Sequence, residues 1–179
     1  MYVETWKPSE VLGIEDSRDL GISMLDVQVL PIIRDITYVP ITPECMVLVY
    51  NPYSLESYSE GYFMWTSPKT ALRFDFAAND DYRFIVNLLN PFLPEVAGEL
   101  DIQFAFDSSE DVIYSTTVDS NTSTIEFIVQ KEYLAGEAHM LYIISDTWIP
   151  SETQGTADTR ELGIPITSVE AIPISRSGG

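Results

Sequence analysis

Six aromatic residues crowd positions 50 to 65, with acidic and amide side chains between them. Flat rings can stack on the apolar C–H faces of sugars, while nearby carboxylates accept hydrogen bonds from sugar hydroxyls. The residues that we predict to form a glycan-binding surface are Tyr53, Glu56 and Tyr58. The alternative is that several of these rings, Phe63 and Trp65 in particular, fill a hydrophobic core.

A second constellation is Asp158 and Arg160, which precede the last predicted strand. A carboxylate and a guanidinium two positions apart can pin a loop, because the carboxylate accepts backbone amides while the guanidinium makes a forked bond. Asp16 and Arg18 repeat this spacing, which favours a structural clasp at both places over direct contact with a ligand. For a clasp, we expect Arg160→Ala to cost about 1–3 kcal/mol of stability and to leave glycan affinity almost unchanged.

The residues around this clasp are expected to be structural as well. Trp148 is predicted to pack at the end of the core, and Leu162 to plug the same end. Gly163 follows directly, and we expect it to let the chain turn sharply before the last strand.

Catalytic chemistry has few candidates in this sequence. His139 is the single histidine, and no serine lies in a nucleophile motif such as G-x-S-x-G. Cys45 and His139 are 94 positions apart, which does not suit a zinc site, and no phosphate-binding loop is present. We therefore predict that the chain is not an enzyme, although two carboxylates acting in glycoside hydrolysis remain a distant alternative.

Calcium is the metal that the acidic loops favour. Asp107 and Asp111 offer oxygen ligands in one predicted turn, which is the chemistry that Ca²⁺ prefers. The loop lacks the glycine and the distal glutamate of an EF-hand, so an ordinary β-turn is the favoured interpretation. We expect no cofactor, with calcium as the alternative.

The net charge of −19 excludes several classes of partner. Nucleic acids and anionic membrane surfaces are bound through clustered Lys and Arg, and the nine basic residues here are scattered. No run of 18 apolar residues predicts a membrane span, and no basic-then-apolar leader opens the sequence. No feature of the sequence indicates the cellular compartment of the protein.

Cys45 precedes an apolar run and is expected to be a buried, inert thiol.

Strand patterns dominate the chain. Alternating or dense apolar runs predict strands, and prolines, glycines and Asx residues predict the turns between them. The predicted strands are 22–30, 71–76, 82–88, 100–106, 124–129, 140–144 and 164–174. No stretch of 12 residues keeps a helical period. The pattern predicts an all-β fold, an antiparallel β-sandwich of jelly-roll-like type.

The sequence contains a repeated segment, which indicates how the chain is organised into domains. Thirteen of the 27 residues from Thr5 to Pro31 recur without a gap 142 positions later, from Thr147 to Pro173. We predict one sandwich domain over residues 1–174, followed by a tail at 175–179. Residues 1–31 are either its first strand or the end of a preceding repeat unit. The first is favoured, because an orphan strand would expose a sheet edge, and deleting residues 1–31 should then lower the melting temperature substantially.

Several of these segments together resemble a family: the β-sandwich, carbohydrate-binding-module-like accessory domain found beside bacterial and archaeal glycosyltransferases and polysaccharide proteins. The resemblance covers roughly residues 50 to 174, and Asp158–Gly163 is its most specific part. Tyr53 stands where Trp is common in the family, and Met64 stands where Arg is common. The matching segments are Asn51–Glu56, Met64–Thr66, Leu134–Glu137, Thr147–Pro150 and Asp158–Gly163.

The resemblance implies a non-catalytic sandwich that holds or orients glycans. Our leading hypothesis is a carbohydrate-binding or glycan-presenting module of a larger polysaccharide-handling protein. Its expected partners are a carbohydrate and neighbouring domains of the same chain. The alternative is a structural spacer or assembly domain without a ligand, and the hydrolase is a distant third.

Overall fold

The computed structural model describes residues 36–77, 79–90, 98–134 and 136–174. Nine strands lie within these ranges: β1 Tyr38–Pro40, β2 Val49–Tyr58, β3 Gly61–Asp75, β4 Asp81–Leu88, β5 Leu100–Phe106, β6 Val112–Val118, β7 Thr124–Val129, β8 Ala138–Ser145 and β9 Pro165–Ile174. Helical turns are short in this part of the chain. They are the 3₁₀ turns Cys45–Leu48 and Lys131–Tyr133 and the α-helix α1, Pro150–Thr153.

All strand pairings are antiparallel, and they build two layers that share β3. The main strand order is β6-β5-β8-β3-β9-β4-β7, with β2 added to β3 and β1 added to β9. Along one edge, β3 pairs with β9 at Met64 and Trp65 and then with β8 from Lys69 to Asp75. A strand that changes neighbours in this way turns the corner between two layers. The layers are β2-β3-β8-β5-β6 and β3-β9-β4-β7, and β1 pairs with β9 in the second layer.

Aromatic rings fill the space between the layers. Phe84 on β4 packs edge-on against Phe106 on β5, with ring centroids 5.5 Å apart. Phe104 on β5 lies 4.5 Å from Phe127 on β7. Phe74 on β3 reaches the same cluster, 5.3 Å from Phe84. These contacts join strands from both layers, so they form one hydrophobic core.

The local sequence explains the strands. Even-numbered residues of β4 and β5 are buried, and most odd-numbered ones reach the surface, which is the period-two pattern of a sheet with one buried face. The predicted strands at 71–76, 82–88, 100–106, 124–129, 140–144 and 164–174 coincide with strands of the structure. The predicted antiparallel β-sandwich is therefore confirmed.

Two expectations need correction and others stay open. Cys45 is only partly buried, because it begins a surface 3₁₀ turn and not a strand. The chain also contains a short α-helix, Pro150–Thr153, in a segment expected to be a loop. The strand predicted at 22–30 and the placement of residues 1–31 lie outside the described residues and remain predictions. Within the described residues, no helix is long and apolar enough to cross a membrane.

Candidate functional site

The loop between β8 and β9 is closed at its base by a pair of backbone hydrogen bonds. Trp148 and Leu162 each donate an N–H to the other's carbonyl, both at 2.9 Å. Both side chains are buried, and the Trp148 ring packs edge-on to Trp65 at 5.7 Å. This base anchors the loop in the core, as we predicted for Trp148 and Leu162.

Inside the loop, the backbone turns in a small space. Pro150 opens α1, where its fixed φ suits the first helical turn. Gly155 then takes φ 66°, a left-handed conformation that glycine adopts without strain. The Ser151 N–H donates to the Asp158 carbonyl at 2.7 Å. These contacts fix the backbone at Asp158.

Asp158 and Arg160 form a forked ion pair. Arg160 donates from its backbone N–H and from Nε to Asp158 Oδ1, both at 3.0 Å, and from Nη2 to Oδ2 at 2.6 Å. The side-chain hydrogen bonds from Arg160 and then its backbone N–H hold the pKa of Asp158 below its ordinary value. The pKa of Arg160 is raised, chiefly by the hydrogen bond to Asp158. Both groups are therefore ionised at neutral pH.

Arg160 also contacts β2, which the sequence analysis did not anticipate. Its Nη1 donates to Glu56 Oε1 at 3.0 Å, and its guanidinium carbon lies 5.7 Å from the centre of the Tyr53 ring. Glu56 and Arg160 are 104 positions apart in sequence. We call Tyr53, Glu56, Asp158 and Arg160 the Arg160 cluster. It joins two predicted glycan-binding residues to the two predicted clasp residues.

The Arg160 cluster lies at the surface without being fully solvated. The side chains of Arg160, Glu56 and Asp158 are 32%, 34% and 28% exposed. Tyr53 is partly buried against the core. Partial burial strengthens the ion pairs relative to bulk water and still leaves polar atoms within reach of a ligand.

Tyr58, the third predicted glycan-binding residue, packs against the hydrophobic core. Its ring packs edge-on to Phe63 at 6.1 Å, and Phe63 in turn contacts Trp65 at 6.1 Å. Phe63 and Trp65 are buried, as the core interpretation of these two rings predicted. Trp148 completes this aromatic row, and its Nε1 is buried without an acceptor among the described residues.

Of the two calcium candidates, the carboxylate of Asp107 bonds within the protein, and Asp111 lies in the turn that follows β5. Asp107 accepts a hydrogen bond from the Met140 N–H at 2.8 Å, and its other oxygen lies 3.1 Å from Nδ1 of the fully buried His139. Asp111 donates its backbone N–H to the Ser108 carbonyl in a turn. The described ranges contain no group of three His, Cys, Asp or Glu side chains placed to hold a metal. Asp16 and Arg18 lie outside those ranges.

Comparisons with known proteins give structural likenesses only. No family model and no curated protein sequence matches the chain. A family 35 carbohydrate-binding module from Clostridium thermocellum is similar, with a TM-score of 0.45 at 9% identity over 70% of this chain and 91% of that one. A CBM35 domain from Cellvibrio japonicus Abf62 gives a TM-score of 0.42 at 11% identity, over 70% and 87%.

The CBM36-1 domain of a multidomain xylanase from the hindgut metagenome of Trinervitermes trinervoides is also similar. Its TM-score is 0.44 at 10% identity, over 78% of this chain and 98% of that one. All three scores lie below 0.5, so function has to be inferred from this chain's own residues.

Proposed function

We propose that the chain is a non-catalytic carbohydrate-binding module, and that the Arg160 cluster binds the sugar. The observation that carries this proposal is the placement of Arg160: a partly exposed guanidinium held between Asp158 and Glu56, beside the Tyr53 ring. An aromatic surface next to fixed charged groups suits a ligand with apolar faces and many hydroxyls.

The hydrogen-bonding capacity of the cluster supports the proposal. A guanidinium has five N–H groups, and Arg160 uses Nε and one N–H on each Nη to hold its two carboxylates. Two N–H groups remain for ligand oxygens. The Glu56 carboxylate accepts one hydrogen bond from Arg160 and retains lone pairs that can accept from sugar hydroxyls, whereas Arg160 already donates two hydrogen bonds to each oxygen of Asp158. Donors and acceptors are thus fixed before a ligand arrives, which lowers the entropic cost of binding.

A hydrolase is a poor fit to this cluster. Glycoside hydrolysis needs one carboxyl group that stays protonated to donate to the leaving group. Arg160 lowers the pKa of Asp158, which is the opposite of what a general acid requires. The pair Glu56 and Asp158 therefore suits binding better than acid catalysis.

The spacer hypothesis keeps one specific observation in its favour. Arg160 links the β8–β9 loop to β2, and this link can serve stability alone. The binding-module and spacer hypotheses assign different roles to Tyr53, because the hydrogen bonds that hold the β8–β9 loop to β2 are made by Arg160, Asp158 and Glu56. Removing the ring should weaken sugar binding under our proposal, whereas a spacer has no sugar binding to lose.

Affinity electrophoresis in gels containing soluble polysaccharides tests the proposal, followed by titration calorimetry on any polymer that retards the protein. We expect at least one neutral polysaccharide to retard the wild type and Tyr53→Ala to weaken this effect about fivefold or more. Tyr133→Ala is the matched control, because Tyr133 is exposed and far from the cluster in sequence. Failure of every polymer to retard the wild type would favour the spacer.

A further inference from the structure

The later copy of the sequence repeat, Thr147–Pro173, forms the β8–β9 loop and most of β9. β9 lies inside the sheet, because it pairs with β4 along one edge and with β3 and β1 along the other. This segment therefore joins β3 to β4 and completes the second layer. We call Thr147–Pro173 the closing segment.

The closing segment is held on β3 by a small set of contacts. The Trp148 ring packs on Trp65, with centroids 5.7 Å apart. Gly163 donates its N–H to the Thr66 carbonyl at 2.9 Å. Ile164 exchanges hydrogen bonds with Thr66, because its N–H donates to Thr66 Oγ1 and its carbonyl accepts the Thr66 N–H, both at 2.9 Å. Trp65 and Thr66 are therefore the centre of the surface on which the closing segment docks.

The earlier copy of the repeat, Thr5–Pro31, retains the docking residues in the same order and at the same spacing. In the closing segment these residues contact β2, β3 or one another. Residues 5–31 therefore carry the chemistry that docks on a β2–β3 hairpin with an acid, a tryptophan and a threonine at the positions of Glu56, Trp65 and Thr66. The counterparts of Trp148, Asp158, Arg160, Leu162, Gly163 and Ile164 are Trp6, Asp16, Arg18, Leu20, Gly21 and Ile22.

The β2–β3 hairpin of this chain is already occupied. The dipeptide Trp-Thr occurs once in the sequence, at Trp65 and Thr66. The backbone N–H, the carbonyl and Oγ1 of Thr66 all bond to the closing segment. A further segment of the same kind cannot make these hydrogen bonds with the same atoms. Residues 5–31 therefore need another hairpin.

Buried positions of β9 also distinguish the two copies. Ser168 is buried and accepts a hydrogen bond from Asn87 Nδ2 at 3.0 Å, whereas the earlier copy has Asp26 at this position. Ala171 is buried as well, and its counterpart in the earlier copy is the larger Val29. Added volume destabilises a packed core, and a buried carboxylate is costly unless it is paired. The earlier copy is therefore suited to a core that differs from the one around β9.

We propose that residues 5–31 are the closing segment of a further copy of this sandwich domain, which precedes the present one in the same polypeptide. They dock on the β2–β3 hairpin and on β4 of that copy. The two domains are then consecutive, with a repeat length of 142 residues. This inference replaces our expectation that residues 1–31 form the first strand of the present domain, and it does not depend on sugar binding.

Matched substitutions in the two copies test the proposal in the full chain. Leu162 is buried, so we expect Leu162→Ala to lower the urea midpoint by about 1 M or more. Leu20→Ala makes the same change in the earlier copy and should leave the midpoint unchanged, because its partner hairpin lies outside this chain. Arg160→Ala and Arg18→Ala form a milder pair, which keeps the comparison valid if Leu162→Ala does not fold. An equal loss in both members of a pair would place residues 5–31 in the present domain and overturn the proposal.

Sequencing the gene upstream of residue 1 gives an independent test. Thr66 precedes Ile164 by 98 positions, and Glu56 precedes Arg160 by 104. We therefore expect a Trp-Thr pair whose threonine lies about 98 positions before Ile22, and an acidic residue about 104 positions before Arg18. A gene that begins at Met1, or one without these residues at this distance, would overturn the proposal.

Discussion

Arg160 is the residue on which the candidate site depends most. Its guanidinium bonds two carboxylates from distant parts of the chain and lies over an aromatic ring. Lysine could not replace it, because a single ammonium cannot reproduce the planar fork that holds Asp158. The clasp that we predicted from the sequence therefore also positions Glu56, so stability and the proposed sugar binding depend on the same contacts.

Replacing Arg160 should lower stability and weaken sugar binding together. Arg160→Ala leaves Asp158 and Glu56 close together without a cation, and we expect a loss of about 1–2 kcal/mol in urea unfolding. This revises the expectation that affinity would be unaffected. Arg83→Ala is the matched control, since Arg83 is exposed and its ion pair with Glu126 is long, at 3.9 Å. Unchanged affinity in a destabilised Arg160→Ala would limit the residue to a structural role.

Asp158 gives stability a defined pH dependence. Because Arg160 lowers the pKa of Asp158 in the folded state, the unfolded chain binds its proton at higher pH than the folded chain does. The resulting stabilisation is complete above the unfolded pKa of about 3.9 and is lost as pH falls through the lower folded value. Urea midpoints should differ most between wild type and Asp158→Asn above the unfolded pKa of Asp158, and the difference should shrink as pH falls below it. A difference that stays constant as pH falls would contradict the assignment.

At the scale of elements, Gly163 shows how the β8–β9 loop meets β3. A Cβ at this position would collide with the side-chain oxygens of Thr66 and Ser145 and lie 3.3 Å from the Thr66 carbonyl. The Gly163 N–H donates to that same carbonyl at 2.9 Å. We had expected this glycine to permit a sharp turn. Gly163 is not among the glycines of the described ranges that have a positive φ, and the close approach of the two backbones explains it instead.

Adding one methyl group at Gly163 should therefore be costly. Gly163→Ala forces β9 away from β3, and we expect a loss of about 1–3 kcal/mol in thermal or urea unfolding. Gly155→Asn is the control, because nothing lies within 4 Å of a Cβ added at that position and asparagine tolerates its left-handed φ. Equal stability of the two variants would show that the crowding at Gly163 relaxes at little cost.

For the whole molecule, charge repulsion is the dominant long-range effect. The chain has 28 acidic and nine basic residues. Sodium chloride screens their repulsion as the Debye length falls from about 30 Å at 0.01 M to about 10 Å at 0.1 M. We expect the melting temperature to rise over this range. A triple variant of exposed residues, Glu99→Gln, Glu110→Gln and Glu132→Gln, carries −19 + 3 = −16 and should respond less. A melting temperature that falls with added salt would contradict this expectation.

The sequence by itself determined the fold class, six of the nine described strands and the burial of Phe63, Trp65 and Trp148. It did not predict β1, β6 or β2, which carries Tyr53 and Glu56. Alternating burial along a strand depends on residues adjacent in sequence. The polar residues next to Phe84, Phe104 and Ile102 therefore predict that these three side chains face the core. The Asp158–Arg160 fork could also be predicted, because two positions of separation place both groups in one loop. Tyr53 and Glu56 were identified as candidates from composition, without any indication of what they contact.

Only the tertiary structure decided which distant residues meet. The ion pair between Arg160 and Glu56 joins residues 104 positions apart and depends on how the β8–β9 loop packs against β2. The alignment of Tyr142 with Ala71 and Ala105 depends on strand register in a sheet whose neighbours are far apart in sequence. A shift of one residue would turn Tyr142 into the core. Register and loop packing arise from the summed contacts of the whole core, and no local pattern encodes them.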